Sequence, residues 1–205
     1  GSFLNIRNNQ IPCINLCFTP LRAVYDGEYR KRHIQKHDKN RLVAQILEFG
    51  YKLVDKWCWQ RYSKIICISE TVKERVLAAE LAKEEDICIC YPGIELSNIE
   101  ANETNEKYFF IAGRIMWTKN IELGIEAFKQ FSDNIDSTFK LVIAGMVDKK
   151  SESYYSQLKE LASTHPNIEF VIEPSDAQMQ SLYANCYASL FTAFNEDLGL
   201  TPMEA

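Results

Sequence analysis

Between residues 108 and 192, short apolar runs alternate with amphipathic stretches. The runs at 108–112, 139–144, 168–172 and 188–192 have strand length, and the stretches at 120–131, 152–163 and 176–184 repeat apolar residues at helical spacing. Ser175, with Gln178 three positions on, reads as a capping box for the last of these helices. Alternation of this kind means βαβ units, and so a parallel sheet with right-handed crossovers. The first half carries fewer units. Residues 11–18, 64–69 and 86–91 read as strands, the second of them a continuous β-branched run of the sort buried on both faces. Over 42–63, Leu42, Ile46, Leu47, Leu53, Val54, Trp57 and Cys58 fall on helical spacing, with Gly50 as a bend. Thr71 and Glu74 read as a second capping box. The polar stretch 97–106 reads as a linker. The chain is therefore expected to be α/β, with one domain over 1–91, a linker over 92–107 and a second domain over 108–205. Three strands are few for the first domain, whose sheet should show an open edge.

Composition narrows this picture. A hydrophobic share of 46% against 25% charged residues fits a globular chain, and no apolar run reaches membrane-span length. The net charge of −5 is uneven: residues 1–100 hold 15 Lys and Arg against 13 Asp and Glu, and 101–205 hold 8 against 15. An acidic second half argues against nucleic acid as a partner, because that affinity is mostly phosphate neutralisation. Of the seven cysteines, Cys13, Cys17, Cys67, Cys88 and Cys90 stand in strand-like runs, where the thiol acts as a small hydrophobe; their spacing fits no zinc knuckle. His33 and His37 are at i and i+4 but inside a basic run, which reads as a solvated face rather than a metal pair. Trp57, Trp59 and Tyr62 beside Lys56, Arg61 and Lys64 fit a membrane interface, though core packing is the favoured place for Trp57.

The candidate chemistry sits where strands end. Gly113 and Gly145 follow the first two strands of the second domain, at the sheet end where open α/β folds bind ligands. Arg114 and Lys119 lie in the loop Gly113-Arg114-Ile115-Met116-Trp117-Thr118-Lys119-Asn120. The last stretch, Asn195-Glu196-Asp197-Leu198-Gly199-Leu200-Thr201-Pro202-Met203-Glu204-Ala205, reads as a glycine turn into a helix, with Thr201 as N-cap, Pro202 in first position and Glu204 closing a capping box. Gly199 lets the backbone pass close to a ligand, and the N–H groups of a first helical turn face an anion. Glu196 and Glu204 bracket the turn with seven residues between them. The plainer reading makes the glutamates a cap and a loop acid, and the cations a solvated pair.

Together these elements resemble the retaining glycosyltransferases of family 4, with their GT-B fold of two Rossmann-like domains. The resemblance runs from residue 11 to the end. It is carried by the E-x7-E spacing, by Gly113–Asn120 as a G-R-x-x-x-x-K-N element, by the strand ending in Tyr91-Pro92-Gly93-Ile94-Glu95, and by Thr19-Pro20-Leu21-Arg22-Ala23-Val24-Tyr25-Asp26, which looks like that of bacterial mannosyltransferases. It implies transfer of a hexose, mannose first, from a nucleoside-diphosphate sugar to a glycan or lipid-linked acceptor in polysaccharide biosynthesis, with no metal and no cofactor. Arg114 and Lys119 would neutralise the diphosphate, Glu196 would lie beside the donor sugar, Glu204 would hold the ribose, and backbone around Leu200 and Thr201 would take the phosphates. Gly113, Gly145 and Gly199 would line the donor site, with Arg22 on the acceptor side. The expected place is the cytoplasm, at most peripheral to the membrane. Phe18 stands where the family commonly has a histidine. That keeps open a catalytically silent nucleotide-sugar-binding paralogue, beside another GT-B enzyme such as a nucleotide-sugar epimerase. The family's Gly-rich acceptor loop has no counterpart before residue 11, so the chain is expected to be an inactive fragment, with a first domain that is incomplete, of a protein roughly twice as long.

Overall fold

The computed structural model describes residues 11–34, 41–94 and 105–205. The chain divides into two compact units, Gly1–Gly93 and Ile94–Ala205. The first unit holds, in chain order, β1 (Ile14–Cys17), α1 (Arg22–Tyr25), α2 (Gly27–Ile34), α3 (Arg41–Trp59), β2 (Lys64–Cys67), α4 (Glu70–Ala78) and β3 (Ile87–Ile89). Its sheet is parallel, in the order β1-β2-β3, with Leu16 opposite Ile66 and Ile66 opposite Cys88. The β-branched run of β2 takes the centre, as a strand buried on both faces should; Ile65 and Cys67 are fully buried there. Cys88 and Cys90, read above as buried hydrophobes, are instead exposed, because β3 is an edge strand. Among the described residues the cap of α4 is Ser69, whose hydroxyl accepts the Val72 N–H at 3.1 Å. The expected cap, Thr71, lies inside the helix, because the chain leaves β2 directly into the cap without a connecting turn.

Of the apolar pattern of the long helix α3, Cys58 alone is buried among the described side chains. Asp55, Cys58 and Trp59 are buried, whereas Ile46, Leu47, Leu53, Val54 and Trp57 are all exposed. The favoured core placement of Trp57 is thus corrected to its neighbour Trp59, and the Arg61 guanidinium lies 4.3 Å from the Trp57 ring centre instead. What fixes this side of α3 inward is polar: the Tyr25 hydroxyl donates to the buried Asp55 carboxylate at 3.0 Å.

The second unit holds β4 (Tyr108–Ala112), α5 (Ile121–Asn134), β5 (Lys140–Gly145), α6 (Glu152–Ala162), β6 (Ile168–Ile172), α7 (Asp176–Asn185), β7 (Ala188–Ser189) and α8 (Leu200–Glu204). All four strands are parallel, in the order β6-β5-β4-β7. The chain thus winds outward from β4 through β5 to β6 and then returns to the other side of β4. Both faces of the sheet are packed. Ile111, Leu141 and Ile143 meet Ile121, Ile125 and Phe128 of α5 and Leu158 of α6 on one face; Phe110, Val142 and Ala144 meet Leu182 and Tyr183 of α7 on the other. Ser175 and Gln178 form the expected capping box on α7. β7 is shorter than its apolar run, although the Leu190 N–H still reaches the Phe110 carbonyl at 2.7 Å.

His37, and residues 95–104 of the expected linker, lie outside the described residues. Among the described residues no three His, Cys, Asp or Glu side chains gather as metal ligands, and no helix is long and apolar enough to cross a membrane.

Candidate functional site

The winding of the second unit reverses between β4 and β7. Open α/β sheets bind ligands in the crevice beyond the carboxyl ends of their strands at such a reversal. The loops leaving β4 and β7 meet there. Gly113 ends β4 with φ 125°, a value that favours glycine, and its N–H reaches the Ala144 carbonyl at 3.0 Å. Gly145 ends β5 so close by that a Cβ on it would stand 1.8 Å from the Gly113 carbonyl oxygen. Only a glycine lets these two strand ends come together.

Beyond Gly113 the chain makes a 3-10 turn over Trp117–Lys119 and enters α5 through Asn120, in left-handed conformation with φ 50°. The loop after β7 is stitched to this turn: the Phe194 N–H donates to the Thr118 carbonyl at 2.7 Å, and the Thr192 hydroxyl to the Lys119 carbonyl at 2.8 Å. These bonds bring Lys119 and Glu196 together, with Lys119 Nζ 2.7 Å from Glu196 Oε2. Both side chains are partly screened from water, 20% and 29% exposed, so the pair is stronger than a surface ion pair but still reachable. Lys119 Nζ also lies 6.0 Å from the Phe191 ring centre.

Gly199, with φ 75°, opens α8. The cap expected at Thr201 is therefore displaced two residues upstream. Thr201 is the second helical residue, Glu204 closes no capping box, and glycine's left-handed conformation makes the turn instead. A Cβ on Gly113 would come 3.8 Å from Lys119 Cε and 4.0 Å from Thr201 Oγ1, so Gly113, Lys119 and Thr201 converge.

Of the residues singled out by sequence, Gly113, Gly145, Lys119, Glu196, Gly199 and Thr201 share this one corner. Leu200 is exposed beside it. Arg114 is exposed, with its backbone nitrogen 3.5 Å from where a Gly145 Cβ would stand, and no ion pair holds its guanidinium among the described residues. Glu204 is turned to α7, where its Oε2 accepts the Tyr183 hydroxyl at 2.9 Å. Burial first, and the Glu204 carboxylate next, push the Tyr183 phenol well above its ordinary value, so it is a permanent donor. Arg22 belongs to the first unit. Its Nε donates to Asp26 Oδ2 at 3.0 Å, and its guanidinium lies 5.2 Å from the Tyr29 ring centre, which makes it a brace of the turn between α1 and α2. Sequence reasoning did not find Tyr183, Thr192 or Phe191. None carries a charge or a motif, and only their place beside the β4–β7 reversal marks them.

Comparison with known proteins matches residues 94–205 to the family described as glycosyl transferases group 1. Among curated proteins, the O-antigen chain mannosyltransferase RfbU of Salmonella typhimurium is 23% identical over 76% of this chain and 42% of its own length. The alpha-1,3/1,6-mannosyltransferase ALG2 of Saccharomyces cerevisiae is 26% identical over 60% of this chain and 26% of its own. The chain thus spans less than half the length of either relative. Among solved structures, Anabaena HepE in complex with UDP and glucose superposes with a TM-score of 0.60 at 14% identity, over 71% of this chain and 42% of HepE. WaaG, a glycosyltransferase involved in lipopolysaccharide biosynthesis, superposes with a TM-score of 0.56 at 15% identity, over 100% of this chain and 59% of WaaG. At these identities the structural likeness establishes the fold, which is GT-B.

Proposed function

The chain belongs to the glycosyl transferases group 1 family, and from that premise we propose that it is part of a retaining glycosyltransferase that moves a hexose, mannose first, from a nucleoside-diphosphate sugar to a glycan or lipid-linked acceptor. One observation carries the proposal: Gly113, Lys119, Glu196 and Thr201 converge at the β4–β7 reversal, inside the matched stretch. The mannosyltransferase relatives named above support mannose as the sugar.

The chemistry follows from charge. As the glycosidic bond breaks, negative charge builds on the leaving diphosphate. Lys119 supplies a point charge to it and Arg114 a fork, without need of a metal or cofactor. Glu196, already paired to Lys119, shares that cation with the arriving phosphate and faces the sugar, where positive charge develops. Glu204 takes the ribose hydroxyls, and the backbone at Leu200 and Thr201 completes the phosphate cradle. Gly113, Gly145 and Gly199 keep the floor free of side chains. Arg22, by bracing its turn, shapes the acceptor side. We place the protein on the cytoplasmic side; the exposed apolar face of α3 supports a peripheral membrane contact, which vesicle co-sedimentation tests.

Calorimetric titration of GDP-mannose, UDP-glucose and ADP-glucose into the chain and its Lys119→Ala and Arg114→Ala variants tests the donor site. Charge-assisted bonds are worth about 1.5–3 kcal/mol each, so each variant should bind at least ten-fold more weakly. Equal affinity in both variants would sink the assignment. Transfer assayed on a full-length protein separates an active enzyme from a silent paralogue.

A further inference from the structure

Tyr183 lies outside every motif of this chain, yet it touches the donor corner from behind. Its hydroxyl donates to Glu204 Oε2 at 2.9 Å. Thr201 Oγ1, on the same short helix as Glu204, lies 4.0 Å from where a Cβ on Gly113 would stand and so faces that turn. The ring itself cannot drift: it stands edge-on to Phe110, centre to centre 5.0 Å, and Phe110 is fully buried in the sheet. Tyr183 is thus a post on α7, packed on Phe110, to which the short helix α8 is tied through Glu204. We infer that Tyr183 is a positioning residue of the donor site, holding the Glu204 carboxylate in the orientation that meets the ribose hydroxyls of the nucleotide. The inference rests on the donor reading proposed above.

The physical case is one of freedom removed in advance. A glutamate side chain that nothing tethers samples many rotamers. Binding a diol through it would then include the cost of ordering it. A carboxylate has about four acceptor positions on two oxygens. The phenol occupies one on Oε2, and Oε1 stays available to a ligand. Because the phenol keeps its proton, the tether holds at any working pH.

The test is isothermal titration of GDP, UDP and ADP, each beside its 2′,3′-dideoxy counterpart, into the 205-residue chain and its Tyr183→Phe variant. Phenylalanine keeps the ring and its packing on Phe110, so the fold is retained. The ribonucleotide that binds should lose roughly three- to ten-fold in affinity, the cost of ordering one side chain, while its dideoxy form, which offers Glu204 nothing, should be unmoved. In a Glu204→Ala background, Tyr183→Phe should add no further loss. If Tyr183→Phe weakens both nucleotide forms equally, or neither, while the parent chain still prefers the ribonucleotide, Tyr183 is only a structural residue and the donor reading stands. If the parent chain binds both forms alike, or binds none, Glu204 is no ribose ligand, and this inference is overturned with it.

Discussion

The two units use the same strand–helix grammar and finish it differently. In the second unit the central strands β4 and β5 lie between packed layers, with Phe110, Leu141 and Ile143 fully buried and helices on both faces. In the first unit, Ile14 and Leu16 of β1 are 62% and 54% exposed, and α3 presents Ile46, Leu47 and Leu53 to solvent at 57% or more. The difference teaches that periodicity announces an element without announcing which side is covered. A helix buries whichever stripe a neighbour can meet, and for α3 that neighbour is a tyrosine reaching a buried aspartate.

The largest effects should separate the units by where a leucine-sized deletion is made. Phe110→Ala removes a fully buried ring that Tyr183 meets edge-on, and should cost about 3–5 kcal/mol. Leu53→Ala, on the exposed stripe of α3, should stay within about 0.5 kcal/mol. Urea denaturation followed by circular dichroism measures both. A cost for Leu53→Ala near that of a core residue would break the comparison, because it would mean that the stripe is covered in solution.

The corner at the β4–β7 reversal was more legible in the sequence than the unit that precedes it. Gly113, Lys119, Glu196 and Gly199 could be singled out because glycines and charged residues stand out from the apolar runs where strands end, and the loops leaving β4 and β7 meet at one corner. The α7 capping box was legible because it is local, its two partners three residues apart. The Thr201 cap failed although it was just as local, since Gly199 offered a turn that no side chain was needed to stabilise. The orientation of α3 could not be read at all. It depends on Tyr25 and Asp55, thirty residues apart, and neither residue belongs to an apolar pattern.

Glycines sharpen the comparison at the next scale. Gly145→Ala places a methyl 1.8 Å from a backbone oxygen, so the ends of β4 and β5 must separate, at a cost of about 2–3 kcal/mol. Gly50, inside α3, has nothing within 4 Å of its would-be Cβ. Gly50→Ala should therefore stabilise the first unit by about 0.5–1 kcal/mol, the ordinary gain in a helix interior. Thermal melts of the two variants should move in opposite directions. A shift of the same sign in both would mean that the first unit is as tightly closed around α3 as the second is around its sheet.

The smallest effect concerns acid. Asp26 anchors the first unit's only short turn between helices among the described residues: its Oδ1 accepts the Glu28 and Tyr29 N–H groups, each at 3.0 Å, and its Oδ2 accepts Arg22 Nε. Burial alone would raise its pKa. The Tyr29 N–H and the Arg22 guanidinium outweigh burial and hold it below the ordinary 3.8. A carboxyl whose folded value is depressed gives stability that is complete above the unfolded value and is lost as the pH falls through the folded one. The first unit should accordingly weaken below about pH 3.8 by an amount that Asp26→Asn abolishes. Asparagine still caps a helix, so at neutral pH that variant should lose only the charge assistance of Arg22, whereas Asp26→Ala should lose about 1 kcal/mol. Urea titrations at pH 3 and pH 7, read on the first unit's buried Trp59, measure the difference. An Asp26→Asn variant whose loss between the two pH values equals that of the parent would remove Asp26 as the acid-sensitive anchor, and with it the claim that Arg22 is held for structure in this turn.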